Sequence, residues 1–304
     1  MTGDAIQLDQ KALSAIAEKK ATCPFIGTAV VTGRLPVRNE ATNPVASIED
    51  VRRLGNTGGG DLGDLLVLFA TGNHAFMRGL TGQLNQEVPD GLFSLEFPGS
   101  QGSHPGHSGI LEGDPTELDS GRLSLEDFER LERRAIKGLV RRSDVGKFIA
   151  ENLHRDPKSK VFGASVARLL ADDLGSFVAS VGPDLLARLR GSNDVVNGPH
   201  RELEEKLTKL LGQDNLVGSC GEYGLIFAFL AHRPGARELD NEPALFVEDL
   251  RSMFVDKRFP DGWEKWRKTR GDWVINITAL MVSAGKAYAY LVGSSNSTDV
   301  SARP

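Results

Sequence analysis

Apolar positions along this chain recur mostly at helical spacing, and the regular alternation of half-buried strands is nearly absent. Residues 8–20 place Leu8, Ala12 and Ile16 on one modest face and predict a surface helix. Thr22 can cap the next helix, Pro24 suits its first position, Phe25 to Val31 fill it with apolar residues, and Gly33 can close it. Ser47, followed by Glu49 and Asp50, opens a short helix through Leu54. A longer one, Asp61 to Met77, carries Leu62, Leu65, Leu66, Phe69, Ala70 and Phe76 as a broad core-facing stripe. Residues 79–109 are rich in Gly, Pro and Ser and read as an irregular segment over the core.

From Leu125 onward the pattern predicts helices over Leu125 to Leu139, Ser143 to Leu153, Ser165 to Val181, Pro183 to Leu189 and Pro199 to Leu211. Ser219 to Leu230 follows as an apolar helix led by one carboxylate, Glu222. Then come Val247 to Phe254, a tight turn at Pro260 to Gly262, and a last helix, Trp263 to Leu291, with a break expected near Gly271. The fold class expected is all-α: a single, mostly helical domain over residues 1–292 with long irregular loops, and a disordered tail over 293–304.

Composition changes this picture only by exclusion. With 304 residues, 40% of them hydrophobic and 25% charged, the chain can bury a full core and is not of disordered type. Its net charge of −5, with Lys and Arg scattered, offers no footprint for nucleic acid or an anionic membrane. No apolar run stands out as a bilayer span and the first residues lack a secretory signal pattern, so the expectation is a cytoplasmic protein, or a processed form of a secreted one. Cys23 and Cys220 are the only cysteines; neither belongs to a CxxC pair, and a reducing compartment suits them better than a single disulfide.

Candidate chemistry gathers in three stretches. Cys23 stands at a helix start, where free N–H groups and the positive dipole end lower a thiol pKa; the alternative is an inert, buried cysteine. Glu112, Asp114, Thr116, Glu117 and Asp119 concentrate the oxygen ligands that hard cations take. They do not make an EF-hand, since placing Gly121 at the sixth position puts Thr116, Leu118 and Ser120 where acids are needed and Asp127 where Glu belongs. Glu222 is either a partner for the dipole at its helix start or a buried acid of raised pKa, suited to shuttling a proton. Three glycines at 58–60 lack the following Lys-Ser/Thr of a phosphate loop, and His74 reads as a dipole partner near a helix end.

Taken in order, these stretches resemble the heme-thiolate peroxidase family of chloroperoxidase and the unspecific peroxygenases. TCPFIGTAVVTGRLP is similar to that family's Pro-Cys-Pro segment, short helix and Gly-x-Leu-Pro turn, with Cys23, Pro24, Gly33, Leu35 and Pro36 retained. Glu112, Gly113 and Asp114 match its Glu-Gly-Asp motif, Glu222 its distal acid, and Phe259 to Trp263 its late Phe-Pro-Asp-Gly-aromatic turn. The resemblance implies one heme b enclosed by the helices, with Cys23 as axial iron ligand, and hydrogen peroxide used to oxidise or oxygenate a small apolar or aromatic molecule. It implies Glu222 as the catalytic acid-base, and a magnesium ion held by Glu112, the Gly113 carbonyl and Thr116, with Ser124 as a rival to Thr116. Two departures stand out: Thr22 replaces the first proline, and the family's partner for the acid is missing, since Asn215 and Gly113 occupy its places. His74, His104, His107 and Arg233 are the candidates for that partner.

Overall fold

The computed structural model describes residues 5–19, 23–38, 44–56, 62–63, 65–66, 92–95, 110–112, 122–155, 216–235 and 238–300. The described part is 63% helical with little sheet, so the expectation of a mostly helical protein holds. The helices predicted over Ser165 to Val181, Pro183 to Leu189 and Pro199 to Leu211 lie outside the described residues, as do most of 61–77 and 79–109.

The chain opens with α1 (Gln10–Lys19), whose first turn is capped by the Asp9 carboxylate accepting from the Ala12 N–H at 2.8 Å. Helix α2 (Pro24–Val31) follows and is apolar almost all round. Phe25, Ile26, Ala29 and Val30 are buried, and Gly33 closes the helix at φ 68°, in the left-handed region glycine favours. The N-cap is Cys23 itself rather than Thr22, because Pro24 supplies the first helical position directly after it. Next come β1 (Val45–Ser47) and α3 (Ile48–Gly55), where Ser47 stands at the N-cap as expected. Leu62, Leu65 and Leu66 of the following stretch are buried in the core.

Three further strands then form two ribbons that the sequence pattern does not announce. Strand β2 (Leu92–Ser94) pairs antiparallel with β1, with Ala46 opposite Phe93. Strands β3 (Leu111–Glu112) and β4 (Arg122–Leu123) form a second ribbon, with Glu112 opposite Arg122. Helix α4 (Leu125–Glu132) is shorter than expected, because the chain turns at Ile136 to Leu139 and enters β5 (Leu139–Arg141). β5 pairs antiparallel with β6 (Ala244–Phe246), Val140 opposite Leu245. Strands of two or three residues cannot display a period of two, and this is why they escape a pattern reading.

Strands β1, β5 and β6 each run straight into a helix: α3, then α5 (Arg142–Arg155), then α7 (Val247–Phe254), the last with the boundaries expected from sequence. Between them lies α6 (Leu216–Leu230). After a 3-10 turn at Trp263–Lys265, α8 runs from Arg270 to Val300. It starts seven residues later than expected, and it continues helically into the stretch read as a tail.

Helix α8 is the spine against which α5 and α6 pack. Trp273, Ile277, Leu280, Met281 and Ala284 lie on one buried stripe at helical spacing. Glycines allow the close crossings: a Cβ on Gly146 would meet Ser283 Oγ at 2.5 Å, and one on Gly224 would meet the Ile277 backbone N at 3.2 Å. Polar ties fix the register, since Trp273 Nε1 donates to the Gly221 carbonyl at 3.0 Å and Ser283 Oγ to that of Ser143 at 3.1 Å. Contrary to the expectation from sequence, Arg270–Ser294 is long and apolar enough, by length and composition, to cross a bilayer; 28% of its most apolar window is buried. On the far side, buried Thr28 of α2 donates its hydroxyl to the Met253 carbonyl of α7 at 2.8 Å, so the cysteine helix is anchored to the C-terminal half.

Candidate functional site

Cys23 sits where the sequence puts it, immediately before Pro24 at the mouth of α2, with its own carbonyl accepting from Gly27 N–H at 2.8 Å. The amides of Ile26 and Phe25 lie close enough to the sulfur to favour its ionised form. They do not win. Burial, followed by the negative charge of Glu222, pushes the thiol from its ordinary 9.0 up to about 12. The residue as a whole is only half-buried, yet enough protein surrounds the sulfur for desolvation to be the largest influence. Of the two states left open by the sequence, the surroundings favour the neutral one: without a cofactor burial and Glu222 keep the Cys23 thiol protonated.

Glu222 approaches Cys23 from α6. The helix begins at Leu216, so Glu222 stands in its second turn and is not the partner of the dipole at its start. Its face is set by periodicity: Glu222 and Phe229 are seven residues apart and share a stripe, and Phe229 stacks on Phe25 with ring centroids 4.7 Å apart. That stripe faces α2, which is why the carboxylate charge reaches Cys23. Beneath them Phe25, Phe229, Phe259 and Trp263 form one aromatic cluster, with Phe259 stacked on Trp263 at 4.4 Å.

The turn over Phe259 to Trp263 is built as its sequence suggests. Gly262 adopts φ 72°, and Trp263 N–H donates to the Pro260 carbonyl at 3.0 Å. Lys268, fully buried, donates to the carbonyls of Trp263 (2.6 Å) and Trp266 (2.8 Å), and its ammonium lies 4.3 Å from the Trp263 ring centroid. Burial lowers its pKa from 10.5 to about 8, with Glu264 opposing. Lys257, just before the turn, holds an uncommon left-handed φ of 53°. Burial lowers its pKa, while Cys23 and then Glu18 act to raise it.

Of the other residues singled out from sequence, Gly113, Asp114, Thr116, Glu117, Asp119, His74, His104, His107 and Asn215 lie outside the described residues. Glu112 ends strand β3. Ser124 is the N-cap of α4, its hydroxyl accepting from the Asp127 N–H at 3.2 Å. Asp127 pairs with Arg130 and, at 2.9 Å, with Arg155, which adds to the case against a calcium loop ending there. Arg233 is not the partner of Glu222. It lies past the C-terminal end of α6, bonded to Glu248 and, at 3.0 Å, to Asp249, with its guanidinium 4.3 Å from the Phe246 ring centroid. Both cysteines are free. Among the described residues no group of three or more His, Cys, Asp or Glu side chains is arranged to hold a metal ion.

Three participants were missed by sequence reasoning: Lys257, Lys268 and Tyr223. The lysines carry no pattern signal, since a cation two residues before Phe-Pro-Asp-Gly reads as an ordinary surface charge. Tyr223 was available as the neighbour of Glu222. It is 4% exposed, and its hydroxyl has no hydrogen-bond partner.

No protein-family model, curated protein or solved structure matches the chain. The fit of a heme is thus judged on these residues alone. A free cysteine at a helix start can offer a soft ligand and an orphaned buried phenol can offer a donor, a pair compatible with a cofactor that carries both a soft-ligand metal and peripheral oxygen acceptors.

Proposed function

We propose that this chain is a heme-thiolate peroxygenase or peroxidase, in which heme b is bound through Cys23 and hydrogen peroxide is used to oxidise a small apolar or aromatic molecule. The observation that carries the reading is the meeting of Cys23 and Glu222, whose charge reaches the thiol from the opposite helix. Burial and the facing carboxylate keep the thiol neutral, and a metal that takes the sulfur as thiolate would supply the positive charge that offsets both.

When bound, the heme supplies peroxide activation and oxidising equivalents, tuned by its thiolate ligand. The chain does the rest. Cys23 surrenders its proton on ligation, and the Ile26 and Phe25 amides with Lys257 then stabilise the negative sulfur. Glu222 would take a proton from one peroxide oxygen and return it to the other, which leaves as water as the O–O bond breaks, the retained oxygen passing to the substrate. The Phe25, Phe229, Phe259 and Trp263 cluster backs the cysteine helix with apolar surface and excludes water from that side. Glu112, the Gly113 carbonyl and Thr116 are proposed to hold magnesium; Ser124 is less suited, as its hydroxyl already caps α4.

The test is spectroscopic. Purified protein supplied with hemin, reduced and exposed to carbon monoxide, is expected to show the red-shifted Soret band of thiolate ligation, lost in Cys23→Ala. Absence of the band, or its persistence in Cys23→Ala, overturns the reading. Peroxide-dependent oxygenation that is lost in Glu222→Gln divides an enzyme from a non-catalytic heme carrier.

A further inference from the structure

The Tyr223 hydroxyl is a buried polar atom without a hydrogen-bond partner, as are Trp263 Nε1 and Asp249 Oδ2 among the described residues, whereas the buried side chains of Thr28 and Lys268 are bonded. Leaving a phenol desolvated and unpaired is unfavourable. A group that bonds this oxygen recovers that loss. The phenol stays a donor: burial, then the charges of Glu222 and Asp127, push its pKa up, so it carries its proton throughout the physiological range.

Those two charges also locate it. Tyr223 follows Glu222 on α6 and is rotated about 100° round the helix axis. While Glu222 and Phe229 face α2, Tyr223 lies on a flank within electrostatic reach of Asp127, at the first turn of α4. Ser124 and the β3–β4 ribbon, which brings Glu112 opposite Arg122, immediately precede that turn. Asp127 is compensated by Arg130 and Arg155, so the flank is not a bare negative field. A heme held by Cys23 would carry its two carboxylates at its edge, and Tyr223 would be placed to meet one of them on this flank.

We infer that Tyr223 anchors a carboxylate of the bound cofactor, its phenol donating a hydrogen bond to a heme propionate oxygen. The inference rests on the heme-thiolate reading but assigns a residue that reading does not require. In it Tyr223 is a positioning residue, setting the in-plane rotation of the heme, and it is not part of proton transfer.

The experiment titrates the full chain, prepared without heme, with hemin and with hemin dimethyl ester, comparing wild type and Tyr223→Phe by Soret absorbance and by melting temperature. Tyr223→Phe keeps the ring and removes only the orphan donor, so the heme-free variant is expected to melt no lower than wild type. Its hemin affinity should fall about ten- to hundredfold, the size of a lost bond to a charged acceptor. The ester, which lacks the anionic acceptors, should bind wild type and variant alike. An unchanged hemin affinity, or an equal loss for the ester, overturns the assignment while leaving the heme reading intact. No hemin binding by wild type overturns both.

Discussion

Replacing Glu222 with Gln should make Cys23 more reactive, because it removes a negative charge opposing the thiolate while keeping the side chain's shape. A rise from 9.0 to about 12 corresponds to about 4 kcal/mol against ionisation. At pH 8 only roughly one Cys23 in ten thousand is then thiolate, against about one in ten for an unperturbed thiol. Burial is the larger cause and survives the substitution. For a charge acting across a protein interior, recovery of about one pKa unit is expected, or about tenfold in thiolate population at any pH below the pKa. The assay is the rate of iodoacetamide labelling of the heme-free protein, followed at each cysteine by peptide mass spectrometry. Cys220 is an internal control: it lies two residues before Glu222 on nearly the opposite face of α6, and burial alone raises its thiol. Labelling of Cys23 should accelerate about tenfold while Cys220 does not change. Equal acceleration at both cysteines would mean that the substitution merely loosens the fold, and an unchanged Cys23 rate would mean that the carboxylate does not govern the thiol; either result refutes the electrostatic argument.

Lys257→Met should act in the opposite sense, slowing Cys23 labelling several-fold, since it removes the one cation that lowers the thiol's pKa. Lys268 gives a pH signature. Its folded pKa of about 8 lies below the unfolded 10.5, so the unfolded chain holds the proton longer, and this group makes stability rise by up to about 3 kcal/mol as pH increases across that window. Urea unfolding at pH 7.5 and pH 10 should show this increment in wild type relative to Lys268→Met; no difference between the two pH dependences would sink the assignment. Gly146→Ala places a methyl within 2.7 Å of the Ser283 Cβ at the α5–α8 crossing and should cost about 1–3 kcal/mol in urea or thermal unfolding, whereas Gly235→Ala has no such steric conflict and tests only its left-handed φ of 82°.

The helices were legible wherever boundary chemistry and apolar period agree. Val247–Phe254 matches in full, and Pro24–Val31 is bracketed by a proline and a glycine that each do what their backbones favour. The failures share a cause. Leu125 to Leu139 reads as one helix because Ala135, Ile136 and Leu139 continue its apolar pattern, yet the last of these belongs to a three-residue strand whose partner, Ala244–Phe246, lies about a hundred residues away. Pairing across that separation decides the conformation, and no window of local sequence contains both strands. Tertiary context likewise shifts the start of α8. Trp263 is held in a 3-10 turn by a lysine five residues on, and the helix waits until Arg270.

At the site the same division separates position from chemical state. Proline, cysteine and the run to Val31 sufficed to put Cys23 at a helix start, and the local rule that such a start lowers a thiol pKa is correct as far as it goes, since two amides do favour the thiolate. What reverses the sign is not local. Desolvation comes from the residues that close around the sulfur, and the opposing charge comes from Glu222, 199 positions along the chain, turned toward α2 by the phase that also brings Phe229 onto Phe25. The state of the Cys23 thiol is therefore set by burial first and by Glu222 second, neither of which is visible in the local sequence. As it stands the carboxylate helps to keep the thiol neutral, and a neutral thiol carries no charge to oppose it. Helix α2 is fixed independently, through Thr28 to Met253 and through the aromatic cluster, so Cys23 keeps its place at the mouth of the helix. On the proposed reading a metal that takes the sulfur as an anion would offset both burial and Glu222, and that is the role we propose for Cys23 opposite Glu222.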